Sequence, residues 1–397
     1  MNFANVVDSF INSSGLHLMT WKSAVMILLS LLLLYLAIGK KFEPLLLIPM
    51  SFGMLLANLP GSDVMHTELF LDRNFSVQRV IENGGLIDFL YLGIKLGVFP
   101  PLIFLGIGAM TDFAPLIANP KTLLLGAAAQ LGIFCAFLFS LLAGFFGPEF
   151  AFSLVEGMAV GILGGADGPT SILVSKILAP HLLPAISIAA YSYMALIPII
   201  QPPIMRALTT KEERSIVMPT LREVSKKEKI IFPVIVTIVV IILLPSASSL
   251  VGMLMLGNLL KESGVAERLV TTAQNGLINV VTILLALSVG ATASGENFLT
   301  PQTILIVFLG FAAFSLSTVG GVLFGKLMCY LTDGKINPLI GAAGVSAVPM
   351  AARVVQTEGQ RENPGNFLLM HAMGPNVAGV IASAVAAGVF LSVAGML

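Results

Sequence analysis

The stretch Gly164-Gly165-Ala166-Asp167-Gly168-Pro169-Thr170 places one carboxylate between two uncharged runs of the chain. Pro169 lacks an amide hydrogen and the glycines permit unusual backbone angles, so a regular helix cannot continue through this segment. A carboxylate at membrane depth costs on the order of 2.5–3.5 kcal/mol, which indicates a functional role for Asp167. The alternative is that Asp167 caps the helix that begins after it. The broken backbone frees carbonyl oxygens, and with Asp167 and the Thr170 hydroxyl these oxygens could bind a hard cation such as Na+.

The composition of the whole chain is that of a membrane protein. Of its 397 residues, 56% are hydrophobic and 11% are charged, whereas about a quarter are charged in ordinary soluble domains. Several uncharged runs reach the ~20 residues that a helix needs to cross hydrocarbon, and they lack the alternation of barrel strands. The net charge is zero, so no basic surface indicates nucleic-acid binding. We expect an all-α polytopic membrane protein with about ten membrane segments.

A polar segment, residues 206–229, divides the chain into parts of similar length. It contains a third of all Lys and Arg, and the positive-inside rule therefore places it in the cytoplasm. The first apolar run continues into Lys40 and Lys41 without a cleavable small-residue site, which predicts a retained N-terminal helix. The predicted organisation is a membrane helix at residues 1–41, a first repeat at 42–205, a cytoplasmic linker at 206–229 and a second repeat at 230–397.

Three local matches in the same order indicate that the two halves are repeats. The matching segments are Leu55–Leu59 with Met255–Leu259, Gly108-Ala109 with Gly290-Ala291, and Gly165–Thr170 with Gly341–Ser346. Transporters built from inverted repeats form their ion site where broken helices of both halves meet near the membrane midplane. We therefore expect the breaks at Asp167 and Ser346 to lie together. Whether residues 150–178 form one broken span or a re-entrant hairpin is left open.

Several other residues have two interpretations. Asn376 lies in a third interruption of the helical pattern, residues 371–376, and is either a cation ligand or a helix cap. Arg353 follows a long uncharged run, and its side chain either snorkels to the membrane surface or binds substrate. Tyr193 is either an interfacial anchor or a functional hydroxyl. No phosphate loop, HExxH sequence, His and Cys cluster or GxSxG turn is present, so soluble hydrolytic and nucleotide chemistry has no support.

The motifs taken together resemble a known family, the β subunit of the sodium-pumping, biotin-dependent decarboxylases that act on oxaloacetate, methylmalonyl-CoA or glutaconyl-CoA. The motifs that carry the resemblance are Gly164–Thr170, Ala190–Ala195, Gln201–Met205, Asn337–Gly341, Ala347–Val354 and His371–Asn376. The resemblance covers nearly the whole chain from about residue 25. Residues 62–85 depart from it, because they are much shorter than the corresponding loop of the oxaloacetate enzymes.

The resemblance implies roles for individual residues. Asp167 takes the place of the sodium-binding and proton-exchanging carboxylate, and Tyr193 that of a proton donor towards carboxybiotin. Arg353 is expected to face carboxybiotin, as both a catalytic and a cofactor-binding residue. The expected sodium ligands are Asp167, Thr170, Asn337, Gly341, Ser346 and Asn376.

The resemblance also implies cofactors, partners and location. The chain would decarboxylate carboxybiotin and couple this reaction to Na+ export with consumption of a proton. It has no Ala-Met-Lys-Met biotinylation site, so biotin must arrive on a partner. The expected partners are a carboxyltransferase α subunit, a biotin carrier domain and a small membrane γ/δ subunit, in the lipid of a bacterial cytoplasmic (inner) membrane, with a homo-oligomer also allowed. The competing interpretation is a secondary sodium antiporter or sodium-solute symporter with no enzymatic step.

Overall fold

A computed structural model describes residues 15–71 and 75–396 of the chain, and within these ranges it contains helices and no strand. The longer helices are α1 (Trp21–Gly39), α2 (Pro44–Asn58), α3 (Leu86–Lys95), α4 (Phe99–Met110), α5 (Thr122–Ala129), α6 (Leu131–Leu142), α7 (Leu154–Gly161), α8 (Gly168–Leu178), α9 (Leu183–Leu208), α10 (Lys226–Leu243), α11 (Ser248–Ser263), α12 (Ile278–Ala291), α13 (Pro301–Leu331), α14 (Met350–Glu362) and α15 (Leu369–Ala394). Within lipid a helix bonds its backbone groups internally, which explains this preference.

The helices have the lengths and surfaces of membrane spans. In the described part of the chain, five helices are long and apolar enough to cross a membrane, or seven if each of two bent pairs is one span. Leu28 on α1 and Ile242 on α10 are exposed, as are many other large apolar side chains. Exposing such continuous apolar faces to water is unfavourable, whereas lipid solvates them. The prediction of an all-α polytopic membrane protein is confirmed, and the number of about ten segments stays a prediction.

One of the bent pairs shows how a break in a span is stabilised. α3 and α4 meet at 70°, and Gly97 between them has a φ of +79°, which glycine adopts without steric cost. The carbonyl of Lys95 accepts a hydrogen bond of 3.0 Å from Nζ of Lys176 on α8. A side chain from elsewhere in the fold thus satisfies a backbone group that the break leaves free.

Residues 206–229 lie at one end of the helix bundle, which we call the linker face. Two ion pairs hold this segment to α14, Arg206 to Glu358 at 2.6 Å and Arg214 to Glu362 at 2.7 Å. The other end is the opposite face. There Asn58, the last residue of α2, donates a hydrogen bond of 2.7 Å to the carbonyl that follows α12.

Residues 154–178 form a re-entrant hairpin that enters and leaves at the opposite face. α7 and a 3-10 turn (Ile162–Gly165) form its first arm, and α8 forms its second. Glu156 near the start of the first arm lies 2.9 Å from His181, just after the second arm. Because the two ends of the segment touch, it does not cross the bundle. This contact decides between the two alternatives that the sequence left open.

Residues 338–362 form a second hairpin from the linker face. Its first arm is a 3-10 helix (Pro338–Gly344) and its second is α14. Asn337 at the base donates hydrogen bonds of 2.9 Å to the carbonyls of Arg214 and Ile216 in the linker. The tips of the two hairpins meet, since the amide of Ser346 donates a hydrogen bond of 3.1 Å to the carbonyl of Gly165.

Reciprocal helix contacts support the repeat. A Cβ at Gly290 on α12 would lie 1.9 Å from the carbonyl oxygen of Met50 on α2, and one at Gly108 on α4 would lie 1.9 Å from that of Leu254 on α11. α2 therefore packs on α12 as α11 packs on α4. Gly108 and Gly290 make equivalent contacts, and the sequence match also aligns these two glycines. These contacts make Met50 equivalent to Leu254, whereas the sequence match makes Leu55 equivalent to Met255. The two alignments of α2 with α11 therefore differ by about one helical turn.

The limits of the predicted segments at residues 41, 205 and 229 stay predictions. Residues 1–14 of the predicted N-terminal segment lie outside the described residues, as do residues 72–74 of the segment 62–85. α1 accounts for the membrane-crossing part of that first segment. The two predicted repeats contain one hairpin each.

Candidate functional site

Asp167 lies at the tip of the first hairpin, and its side chain is 5% exposed. Ala166 before it is left-handed, with a φ of +53°, a conformation that side chains other than glycine seldom adopt and that makes the sharp turn. Asp167 Oδ1 accepts a hydrogen bond of 3.3 Å from the amide of Thr170, so the residue is the cap of α8. The structure therefore shows the helix cap that was the alternative role for Asp167. It uses one carboxylate oxygen and leaves the other for a second partner.

That second partner is Ser383 on α15. The hydroxyl of Ser383 donates a hydrogen bond of 2.9 Å to Asp167 Oδ2 and lies 3.0 Å from the hydroxyl of Ser346. One hydroxyl thus connects the two hairpin tips. The side chains of Asp167 and Ser346 lie well within the ~15 Å that neighbouring ion sites allow.

Buried oxygens without a hydrogen-bond partner flank these residues. Within the described part of the chain, Thr170 Oγ1 and Asn376 Oδ1 are fully buried and unpaired. Gln130 Oε1 is a third such oxygen, and it lies 3.5 Å from the position of a Cβ on Gly165. A buried oxygen without a partner costs roughly 1–3 kcal/mol, and a cation repays that cost because it binds oxygens directly.

Asn376 also organises the second hairpin tip. Its Nδ2 donates hydrogen bonds of 2.9 Å and 2.8 Å to the carbonyls of Ala343 and Val345, where the hairpin leaves its first arm. With both donors engaged, only the oxygen of the amide remains. The geometry orients Asn376 as an acceptor and leaves it available as a ligand.

Two of the expected sodium ligands lie away from the tips. Asn337 is at the base of the second hairpin, ~14 Å from the tip by the rise of a 3-10 helix, and its Oδ1 accepts from the amide of Leu339. Gly341 lies midway, where a Cβ would be 1.9 Å from the carbonyl oxygen of Gly321 on α13. Both assignments stay predictions from the resemblance, and the geometry gives them a structural role.

Tyr193 and Arg353 also lie apart from Asp167. Tyr193 on α9 is 6% exposed and donates a hydrogen bond to the carbonyl of Val307 on α13. Arg353 is exposed in the first turn of α14, one turn beyond the second tip. Within the described residues its guanidinium has no hydrogen-bond or ion-pair partner, so it is free to bind an anion. Their expected roles towards carboxybiotin stay predictions.

A cavity of about 310 Å³ connects the tips with the linker-face end of α2. Pro169 and Tyr191 line it beside the first hairpin, and Val348 and Pro349 line it at the second. Glu43, which precedes α2, is part of the wall on the linker-face side. The cavity thus reaches Pro169, two residues after Asp167 in the chain.

Sequence reasoning missed Ser383, Tyr191 and Gln130 as parts of the site. Ser383 lies two helical turns after Asn376, so both residues share one face of α15. That spacing was a usable signal, although serine is common in membrane helices. Gln130 and Tyr191 had no signal of their own, because only the fold brings them to the hairpin tips.

This arrangement suits a hard monovalent cation and a proton. It offers one buried carboxylate with hydroxyl, amide and backbone oxygens, the ligand type that such cations prefer. Among residues 15–71 and 75–396, no group of three or more His, Cys, Asp and Glu side chains could hold a metal ion. A cation bound at Asp167 would therefore be coordinated mostly by neutral oxygens.

Comparisons with known proteins agree with this chemistry. A family model described as the Na+-transporting oxaloacetate decarboxylase beta subunit matches residues 22–394. The methylmalonyl-CoA decarboxylase subunit beta of Veillonella parvula is 57% identical over 98% of both chains. The glutaconyl-CoA decarboxylase subunit beta of Acidaminococcus fermentans is 57% identical over 99% of both chains.

A third relative, the oxaloacetate decarboxylase beta chain 2 of Salmonella typhi, is 53% identical over 97% of this chain and 98% of its own length. The family resemblance found in the motifs is thereby confirmed. The chain belongs to the family of Na+-transporting decarboxylase β subunits, in which decarboxylation is coupled to sodium transport.

Proposed function

We propose that Asp167 is the residue at which Na+ and H+ exchange while the chain decarboxylates carboxybiotin delivered by a partner. The observation that carries the proposal is the chain of hydrogen bonds from Asp167 through Ser383 to Ser346. It joins the tips of two hairpins that enter from opposite faces. A charge change at Asp167 therefore acts on both repeats at once.

Competition between the two cations follows from the geometry. Na+ needs the ionised carboxylate, and a proton on Asp167 removes the charge that binds it. If one proton leaves for each sodium bound, the apparent Na+ affinity falls roughly tenfold for each pH unit below the pKa of the site. Thr170 Oγ1 and Asn376 Oδ1, both buried and unpaired within the described residues, are the further ligands that we assign.

Coupling requires more than proximity. Moving one charge against 100 mV costs roughly 2.3 kcal/mol, so the decarboxylation must change the state of the site. Two hairpins with touching tips provide a simple means, because movement of one repeat against the other would open the site to one face at a time. Arg353, exposed beyond the second tip, would hold the carboxylate of the incoming group.

The positive charge of residues 206–229 gives the orientation of the chain in the membrane, and the orientation gives the side on which its partners bind. The linker face carries the basic segment and faces the cytoplasm of a bacterial inner membrane. Carboxybiotin would arrive there on a carrier domain, together with a carboxyltransferase α subunit and a small membrane γ/δ subunit. The chain carries no biotinylation motif of its own.

The test compares wild type with Asp167→Asn in proteoliposomes that contain the assembled complex. The amide keeps the shape of the side chain and removes its charge and titration, so decarboxylation and Na+ transport should be lost together. Asp112→Asn is the matched control, since Asp112 caps a short helix near the linker face. Sodium-stimulated transport that survives in Asp167→Asn, or a wild-type Na+ affinity independent of pH between about 6 and 8, would contradict the proposal.

A further inference from the structure

Glu43 is a half-buried carboxylate at the linker-face end of the bundle. It directly precedes α2, yet its side chain makes no capping hydrogen bond to that helix. Within residues 15–71 and 75–396 it has no ion-pair partner either, and burial raises the pKa of its carboxyl above the ordinary value. Taking a carboxylate out of water without a counter-charge is unfavourable, and a bound cation would offset that cost.

The backbone at this position is also unusual. Glu43 has a φ of +37°, and Lys41, two residues earlier, has a φ of +57°. Residues other than glycine seldom adopt this left-handed region, because it costs free energy, and they do so most often at functional sites. The turn between α1 and α2 thus places the Glu43 side chain in the wall of a cavity at an energetic cost.

The cavity is the one of about 310 Å³ that reaches the hairpin tips. Among the described residues that line it, Glu43 has the only charged side chain, and no Lys, Arg or His belongs to the lining. The other polar side chains of the wall are neutral hydroxyls and amides, namely those of Thr111, Tyr191, Gln274, Asn279 and Thr282. One carboxylate among neutral oxygens suits a hard monovalent cation, whereas an anion would find no counter-charge.

α12 and the turn before it supply the amide side chains of the wall. Thr272–Leu277 is a π-helical turn, a rare conformation that is frequent at functional sites. Gln274 in this turn donates its Nε2 to the carbonyl of Ala109, so its Oε1 remains as an acceptor. Asn279 and Thr282 are three positions apart on α12 and therefore share one face of the helix. A cation in the cavity thus has amide and hydroxyl oxygens within the same wall.

Tyr191 connects this wall with the first hairpin tip. A Cβ on Gly168 would lie 2.8 Å from the hydroxyl oxygen of Tyr191, so the phenol packs over the residue that follows Asp167. The charges of Glu43 and Asp167 both act on this phenol, so both carboxylates lie near it. Tyr191 is 1% exposed, and its hydroxyl has no hydrogen-bond partner among the described residues. An unpaired hydroxyl in the wall indicates that the cavity is occupied during function.

We propose that Glu43 is a first binding site for Na+ on the linker-face side of Asp167. This inference rests on the proposed function, since it names the site that a cation occupies before it reaches the carboxylate at the hairpin tip. Glu43 is part of the cavity wall on the linker-face side, so a cation from that face meets it first. The site adds no step to the reaction. It sets the Na+ concentration at which Asp167 is filled.

The first test is the Na+ dependence of decarboxylation by the assembled complex in proteoliposomes whose linker face is outside. Glu43→Gln keeps the size of the side chain and removes its charge. The Na+ concentration for half-maximal rate should rise about tenfold, the lower end of the effect that a charged cleft has on the local concentration of a counter-ion. The rate at saturating Na+ should fall less.

Two further variants control for other causes of that change. Glu43→Asp keeps the charge and should recover most of the affinity for Na+. Glu223→Gln is the matched control, since Glu223 is exposed on the linker face and does not line the cavity. It should leave the half-saturating Na+ concentration at the wild-type value.

A second measurement detects the site without transport. Asp167→Asn removes the inner carboxylate, and Na+ should still raise the melting temperature of this variant in the complex more than the same concentration of choline does. The excess rise should disappear in the chain that carries both Asp167→Asn and Glu43→Gln. The Asp167→Asn chain alone decides the question if Glu43→Gln does not fold.

The outcomes are distinct. A half-saturating Na+ concentration for Glu43→Gln within twofold of wild type, or an equal rise in Glu223→Gln, overturns the site at Glu43. So does an Asp167→Asn chain that Na+ stabilises no more than choline, or an excess rise that survives Glu43→Gln. If Asp167→Asn is inactive in any of these cases, the proposed function stands. If Asp167→Asn retains Na+-stimulated transport, the proposed function fails whatever the result at Glu43.

Discussion

Replacement of Ser383 by alanine tests the hydrogen-bond chain between the hairpin tips. The substitution removes the bond of 2.9 Å to Asp167 Oδ2 and the contact of 3.0 Å with Ser346. A hydrogen bond to a charged group is worth about 1.5–3 kcal/mol, and that amount stabilises the ionised carboxylate that Na+ requires. Since 1.4 kcal/mol corresponds to about tenfold in an equilibrium constant, the apparent Na+ affinity should fall by about ten- to a hundredfold.

The assay is the Na+ dependence of decarboxylation by the complex in proteoliposomes at fixed pH. Ser383→Ala should raise the Na+ concentration for half-maximal rate, and the rate at saturating Na+ should fall less. Ser383→Thr keeps the hydroxyl and should recover most of the affinity.

Ser315→Ala is the control for the loss of a serine from a membrane helix, since within the described residues Ser315 bonds only to the carbonyl of Phe311 in its own helix. A half-saturating Na+ concentration for Ser383→Ala within twofold of wild type would refute the assignment. An equal loss in Ser315→Ala would show that the effect is not local.

Three further predictions concern the fold and its orientation. Gly290→Ala should lower the melting temperature markedly, because its Cβ would lie 1.9 Å from a carbonyl oxygen. Gly276→Ala should be neutral, because no described atom lies within 4 Å of the added Cβ, and thermal unfolding in detergent compares the two variants. In a cysteine-free background, a cysteine at exposed Lys211 should react with an impermeant reagent only from the cytoplasmic side, and one at exposed Glu149 only from outside. The buried carboxylate of Asp88 raises the pKa of His66. The stabilisation that protonated His66 gives to the loop within residues 62–85 is therefore present below about pH 6.5 and is lost as pH rises through the folded-state pKa. Limited proteolysis of the loop should speed up over that range in wild type, and His66→Gln should remove the pH dependence.

The sequence alone determined the class of protein and the position of its break. Long uncharged runs can only be buried in lipid as helices, so composition suffices for an all-α membrane protein. The cost of a carboxylate at membrane depth likewise marks Asp167 without any coordinates. Thr170 is within the same short segment, so its place beside the carboxylate follows from local spacing.

Contacts between distant parts of the chain were beyond the sequence. Ser383 is a common residue in an ordinary helix, and its role arises only because α15 crosses both hairpin tips. The same holds for Tyr191, whose neighbour Tyr193 differs from it by two positions in the sequence. On a helix two positions differ by about 200° in direction, so one phenol faces the cavity and the other faces α13.

The hairpin itself shows where local reasoning ends. Glycine and proline at residues 164–169 require a break, and a broken span and a re-entrant hairpin satisfy that requirement equally well. The difference lies in where the chain goes after the break, which packing against the rest of the bundle decides. Contact of Glu156 with His181 fixes that direction in the folded chain. The sequence determined that the helix must break at Asp167, and its repeat predicted that this break lies beside the one at Ser346. Tertiary packing alone decided that the two breaks enter from opposite faces and are joined through the hydroxyl of Ser383.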